Sequence, residues 1–351
     1  MSTQFVLPDI LARWPWPRAI NPYYAECRLS SQEWGAKFQA FTPKAQYAFD
    51  LCDPSLLASL GFPRASRAGC RVVCDLMYLF GVFDEHSDVM DARSVRRCAD
   101  VVMDALRNPQ VPRPKDEEII GEITRSQVPF FWCNAIKTVG PTAQRRFIEE
   151  FSVYTESVVE QAQDRDHFVF RDIKSYMDIR RNNVGAKPAF ALLEMNMELP
   201  HEIFDHKSLI TLRECTVDML CLANDMYSFN VEQAKGDDHN IITLIMLHEK
   251  LNIQQAMEYV AALHEIFADK FLGTYNSLPS FGSPVVDAMV HRYVQGLGNW
   301  IRANDTWSFE SWRYFKDEGL KIQKERVVKL LPKTKSLGRS NCAHPELPRD
   351  I

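Results

Sequence analysis

Several things are missing from this 351-residue chain, and each absence removes a class of protein. Its nine cysteines include no CxxC pair, and neither a His nor a second Cys pair joins Cys70 and Cys74 on their shared helix face. That argues against zinc ribbons and disulfide frameworks, and for reduced, buried thiols in a cytoplasmic protein. Basic residues are not in excess: 41 Lys and Arg against 46 Asp and Glu leave a formal charge of −5, so nothing suggests a nucleic-acid partner. The one Lys-rich stretch, Lys321 to Lys335, reads as a helix end. No apolar run reaches membrane-spanning length, and the opening MSTQFVLPDI lacks the basic-then-apolar layout of a secretory signal. The expectation is a soluble protein without a membrane span. Glycine is scarce, at 14 residues, and period-2 alternation is absent, which leaves little room for sheet. No repeat of fixed period occurs.

What remains is helical pattern. Residues 1–24 hold Pro8, Pro15, Pro17 and Pro22, too close together for a helix interior, and read as an extended lead-in with aromatic anchors. From Ser31 the spacing predicts helices over 31–40, 43–51, 54–60, 66–87, 91–107, 115–133, 141–164, 172–184, 187–195, 207–235, 239–249, 252–275, 284–305 and 308–318. One all-α domain over 1–331 accounts for them. The tail 332–351 mixes charge, Pro and Ser without periodicity and is expected to be disordered or an extended wrap.

Two stretches carry chemistry. In NDMYSFNVEQAK, residues 224–235, Asn224, Ser228 and Glu232 stand four and four apart, so an amide oxygen, a hydroxyl and a carboxylate stack on one helix face. Such an all-oxygen row suits a hard cation such as Mg²⁺, which keeps part of its shell for phosphates; it equally suits a wet helix face. Val217 and Leu220 continue the stripe in apolar form. The second stretch is CRVVCDLMYLFGVFDEHSD, residues 70–88. Its apolar stripe of Val73, Met77 and Phe80 ends in Asp84 and Asp88. Two carboxylates at a helix C-terminus oppose the macrodipole and call for compensation. A divalent cation would supply it, and a solvated helix end is the other reading.

An aspartate-rich DEHSD some 136 residues before N-D-x-x-S-x-x-x-E, with Lys235 three places on and Arg313-Tyr314 late in the chain, resembles the class I terpene synthases. The likeness covers about residues 10–331. The phrasing NDMYSFNVEQAKGDDHNIITLIM and the opening WPWPRAINPYY are similar to mushroom sesquiterpene cyclases, the group that includes Δ6-protoilludene synthases.

That resemblance implies a single helical bundle around a central apolar cavity open at one end. Asp84 would bind two of three Mg²⁺ ions, Asp88 would ligate or hydrogen-bond, and Asn224, Ser228 and Glu232 would hold the remaining ion. Glu85 stands where the family usually has a second aspartate, and is not expected to ligate. YMDIRRNNVGAKP, residues 176–188, matches the diphosphate-sensing segment. Arg180 would be the sensor, with Arg181 the neighbouring alternative, Asn183 the linker and the Val184 carbonyl the effector. As plain sequence the same segment reads as a helix end capped by Gly185. Arg313, Tyr314 and Lys235 would donate to the diphosphate, while Phe80 and Trp307 are candidates to line the cavity, though core packing would serve either ring.

The implied reaction is Mg²⁺-dependent ionisation and cyclisation of farnesyl diphosphate by a monomer or homodimer, by 1,11 closure through a humulyl cation to Δ6-protoilludene. A 1,10 closure to a cadinane is the alternative. Without a DxDD motif, a class II cyclase is disfavoured. A chain-elongating prenyltransferase would need a second aspartate-rich motif where Asn224 and Ser228 stand, and a non-enzymatic helical scaffold would leave both acidic patches without work.

Overall fold

A computed structural model describes residues 3–112, 114, 117–125 and 131–333. The lead-in runs extended, but its start forms a strand. β1 (Gln4–Val6) pairs antiparallel with β2 (Val327–Lys329), placing Phe5 opposite Val328. This short ribbon is the little sheet that the all-α pattern leaves room for. Both central side chains are buried, and Phe5 meets Phe229 edge-on, so a core contact holds together a pairing too short to show as alternation. Trp14 and Trp16 stack on each other and donate their indole N–H groups to the Gly298 carbonyl and the Gln295 side chain. Residue 298 has to be glycine here, because a Cβ would sit 2.2 Å from the Trp16 ring.

The helices follow in chain order: α1 (Tyr24–Ala36), α2 (Pro43–Cys52), α3 (Pro54–Gly61), α4 (Arg67–Ser87), α5 (Ala92–Arg107), α6 (Ile119–Arg125), α7 (Phe131–Thr138) and α8 (Pro141–His167). Then come α9 (Ile173–Asn183), α10 (Ala186–Ala191), α11 (His201–Phe204), α12 (Lys207–Lys235), α13 (Ile241–His248), α14 (Ile253–Asn276), α15 (Pro284–Glu310) and α16 (Gly319–Glu325). α1 starts at Tyr24 rather than Ser31, because Pro22 is tolerated just ahead of a first turn. Where one helix over 115–133 was expected, α6 and α7 stand, the second running on to Thr138. The tail expected to be disordered lies, from residue 334, outside the described residues.

The end of the chain holds the most useful correction. α15 does not break near residue 305, since no Gly or Pro interrupts it there, and the helix expected over 308–318 does not form. The Trp312 backbone N–H instead donates to the Leu51 carbonyl, 3.1 Å away. The chain has already left the helix at extended Ser311, and Arg313 and Tyr314 turn inward after it.

α12 is the axis of the bundle. It buries 18 of its 29 residues, as only a helix surrounded on most sides can, and packs against α14, α15, α13, α9 and α10. α4 lies across from it, packed on α1, α3 and α7, while α8 bridges α5, α9 and α10. Among the described residues, no helix is long and apolar enough to cross a membrane.

Away from the axis, α8 is locked by a buried ion pair. Arg146 Nη1 donates to both carboxylate oxygens of Glu194, at 2.8 and 2.6 Å, and the Leu199 N–H satisfies that carboxylate further. Arg146 and Arg213 lie on the Phe204 ring, each 3.8 Å from its centroid. Glu194 is fully buried. Removing it leaves Arg146 charged and unpaired, so Glu194→Ala is expected to destabilise the fold by about 3–5 kcal/mol. Denaturant melts would check this, and a loss under about 1 kcal/mol would mean water reaches the pair.

Candidate active site

The stripe Val73, Met77 and Phe80 of α4 faces the interior and hands over to Asp84 one turn later. On α12, Leu220 hands over to Asn224 in the same way. The two helices therefore bring oxygen-bearing ends to the same end of one hollow of about 280 Å³, close to the lower limit of about 300 Å³ for ligand pockets. Asp84, Asp88, Asn224 and Glu232 all line it. Deeper along the same helices the wall is apolar, with Met77, Leu220 and Trp300, while Phe49, Phe80 and Trp307 line the hollow nearer the oxygen-bearing end, where the Trp307 ring meets that of Tyr314.

The remaining expected residues divide. Arg180, Asn183 and Val184, on the last turn of α9, line the hollow, as do Arg313 and Tyr314. Gly185 adopts φ +72 as expected of a cap, so the helix-end reading and the pocket-lining one hold together. Arg181 turns away to Asp218 and Asp178. Ser228 is buried just behind the wall, with its hydroxyl 3.4 Å from the Asp225 carbonyl. Lys235 is exposed on the final turn of α12, outside the lining. Phe80 is set by the Phe151 and Tyr154 rings, and Trp307 by its N–H donating to the carbonyls of Cys52 and Asp53.

Arg180 joins three partners. Its Nη2 donates to Asn224 Oδ1 at 2.7 Å, Nη1 to Asn183 Oδ1 at 3.0 Å, and Nε to Asp225 at 3.0 Å. Asn224 in turn donates to the Tyr314 hydroxyl at 2.7 Å. Across the hollow, Arg313 donates to Glu85 at 2.7 Å and Asp84 at 3.3 Å. The two guanidiniums thus stand over the two acidic ends.

Electrostatically the acidic end is under-compensated. Burial, with repulsion from neighbouring carboxylates, pushes Asp88 up to about 7 and Glu232 up to about 8. Asp84 is raised too, chiefly by burial. About half of its side-chain surface is free, but that surface lies on the wall of the hollow, where protein surrounds it. A hard divalent cation fits this donor set, since every candidate ligand is oxygen and the carboxyls stay raised despite Arg313 beside Asp84 and Arg165 near Asp88. Among the described residues no three His, Cys, Asp or Glu are already gathered as a cluster, so the fit rests on the amide and hydroxyl of α12 as much as on its carboxylate.

Sequence reasoning missed several groups. Asp225, 2% exposed, accepts from the Tyr176 hydroxyl, Arg180 and the Ile241 N–H. Asn240 donates to the Asp225 carbonyl and to Glu232 Oε2, fixing that carboxylate. His239 lines the hollow with Nε2 unpaired, and burial lowers it to about 3, which keeps it neutral. From α8 come Tyr154, Val158 and Gln161, spaced four and three, a lining stripe that the 3.6 period could have flagged.

Residues 75–269 match the family model described as terpene synthase family 2, C-terminal metal binding. The chain is 56% identical over 332 residues to a Delta(6)-protoilludene synthase of Cyclocybe aegerita, a match covering 94% of this chain and 50% of that protein, so it spans half that relative's length. It is 50% identical to a Delta(6)-protoilludene synthase of Stereum hirsutum, over 95% of this chain and 90% of the other. Among solved structures, an a-eudesmol synthase superposes with a TM-score of 0.75 at 18% identity, covering 84% of this chain and 97% of that one. A cucumene synthase carrying a single substitution gives 0.73 at 23% identity, covering 84% and 98%. These likenesses establish the fold, and with a family model matched over more than half its length, the chain belongs to the terpene synthase family.

Proposed function

We propose that this chain is a sesquiterpene synthase that ionises farnesyl diphosphate, releases diphosphate and cyclises the remaining carbon chain to Δ6-protoilludene by 1,11 closure through a humulyl cation. The observation that carries the reading is the meeting of Asp84 and Asp88 from α4 with Asn224 and Glu232 from α12 on one hollow whose other end is apolar. The names of the relatives from Cyclocybe aegerita and Stereum hirsutum support the product.

Asp84, Asp88, Asn224, Ser228 and Glu232 are the residues that would hold Mg²⁺, three ions by family resemblance. Bound there, the metal supplies Lewis-acid charge to the diphosphate oxygens. The chain's own donors do the rest at that end. Arg180, Arg313 and Tyr314 point N–H and O–H groups into the hollow, where the leaving diphosphate takes the electron pair of the broken carbon–oxygen bond. Lys235 adds a more distant cation at the rim. Asn183 holds Arg180 in register with the Val184 carbonyl, the effector of ionisation. Phe80 and Trp307 offer ring faces to the carbocation, and the apolar wall keeps water from it.

Purified protein given farnesyl diphosphate and Mg²⁺ is expected to release Δ6-protoilludene, detected by gas chromatography with mass detection. Absence of any hydrocarbon across Mg²⁺ concentrations would sink the proposal, and a different hydrocarbon would correct the product alone. Arg313→Ala is expected to lower kcat by about 10²–10³-fold with a smaller change in KM, because its contact strengthens as charge develops; normal turnover in steady-state assays would remove Arg313 from this role.

The raised carboxyls give a pH dependence. Folded Asp88 and Glu232 keep protons that the unfolded chain loses above about pH 4. In the absence of ligand they therefore cost stability increasingly as pH rises toward about 7 and about 8, where each ionises. Mg²⁺ binds only the deprotonated forms. Thermal stabilisation by Mg²⁺ with inorganic diphosphate should thus be larger at pH 8 than at pH 6, read by calorimetry, and equal shifts would count against these two ligands.

A further inference from the structure

α4 ends in a concentration of negative charge. Its last carbonyls, the negative pole of its macrodipole, and Asp84 and Asp88 all gather within little more than one turn. The cation that meets the carbonyls is Arg165, in the last turn of α8. Its Nη2 donates to the carbonyl of Ser87 at 2.9 Å and to that of Met90 at 2.7 Å, spanning the turn that contains Asp88.

The residues on either side of Arg165 brace the same corner. Asp166 accepts from the Ala92 N–H at the start of α5, 2.7 Å away, and Asp164 accepts from Arg171 Nε at 2.5 Å, just before α9. One turn earlier, Gln161 accepts from Asn183, which itself accepts from Arg180. The end of α8 is therefore joined both to the aspartate-bearing turn and to the arginine-bearing helix opposite.

We infer that Arg165 is a positioning residue for the aspartate pair: by neutralising the end of α4 and holding the α4–α5 turn, it sets where Asp84 and Asp88 stand and hence how tightly they take Mg²⁺. The inference rests on the reading that these two carboxylates hold the metal. Arg165 is absent from the lining of the hollow, so it acts through α4 rather than on the substrate.

The test uses the full chain and a readout other than turnover: the Mg²⁺ concentration giving half of the melting shift at fixed inorganic diphosphate. Arg165→Met is expected to raise that concentration about tenfold, the usual lower effect of losing a group that orients a metal ligand, while its unliganded melting temperature falls by only a few degrees. Arg165→Lys, which keeps the charge but not the fork, should lie within about threefold of wild type, and Arg165→Gln, which keeps a donor without charge, should lie near the Met variant. A Met variant with the wild-type half-saturation point overturns the inference and leaves Arg165 a structural cap. Should the Met variant fail to fold, the comparison of Lys with Gln decides: a gap between them supports the inference and equal values overturn it. If wild type itself shows no shift with Mg²⁺ and diphosphate, the metal reading of Asp84 and Asp88 fails, an outcome distinct from responsive wild type with equally responsive variants.

Discussion

Several carboxyl groups held at one end of an apolar hollow are costly, and much of this structure answers that cost. Burying a carboxylate favours its neutral form unless positive charge or hydrogen-bond donors stand close by. Here Arg313 faces Asp84 and Glu85, Arg180 faces Asp225 and Asn224, Asn240 holds Glu232, and Arg165 meets the carbonyls behind Asp88. Asp88 and Glu232 are raised all the same, so the protein's own cations stop short of neutralising the site. A donor set of this kind is suited to added divalent charge.

The rest of the bundle keeps the charged and apolar ends apart. Both principal helices change character along their length in one direction: α4 runs from Val73 and Met77 to Asp84, and α12 from Val217 and Leu220 to Asn224 and Glu232. Because the two point their polar ends the same way, the hollow is oxygen-lined toward one end and apolar deeper in. Trp307 meets the Tyr314 ring and is fixed by carbonyls at the α2–α3 junction. The Arg146–Glu194 pair locks a different part of α8 to the segment after α10, and neither residue lines the hollow. α8 thus contributes stability at one end and site geometry at the other.

Much of this was legible in the chain itself. The all-α class followed from scarce glycine and 3.6-residue spacing, and the ligand candidates from oxygen-bearing residues four apart at the ends of apolar stripes. What one helix determines by itself, its period reveals. The hydroxyl of Ser228, the amide of Asn224 and the carboxylate of Glu232 had to share a face once that stretch was helical.

Other features depended on partners far away in sequence. The β1–β2 ribbon joins residues more than 300 apart, and no local pattern announces it. Where a helix was expected over 308–318, the chain leaves α15 at Ser311, Trp312 bonds to Leu51, and Arg313 and Tyr314 find partners on α4 and α12. Adjacent arginines at 180 and 181 are alike as sequence, but they reach α12 at different heights: Arg180 meets Asn224 and Asp225, whereas Arg181 meets Asp218, more than one turn earlier. Asp225, Asn240 and Arg165 acquire their roles in the same way. Sequence by itself determined which helices carry rows of oxygen-bearing side chains and which faces they occupy, since side-chain direction along a helix is a local property. Only the tertiary structure decided which cations meet those side chains, since that depends on how separate helices pack.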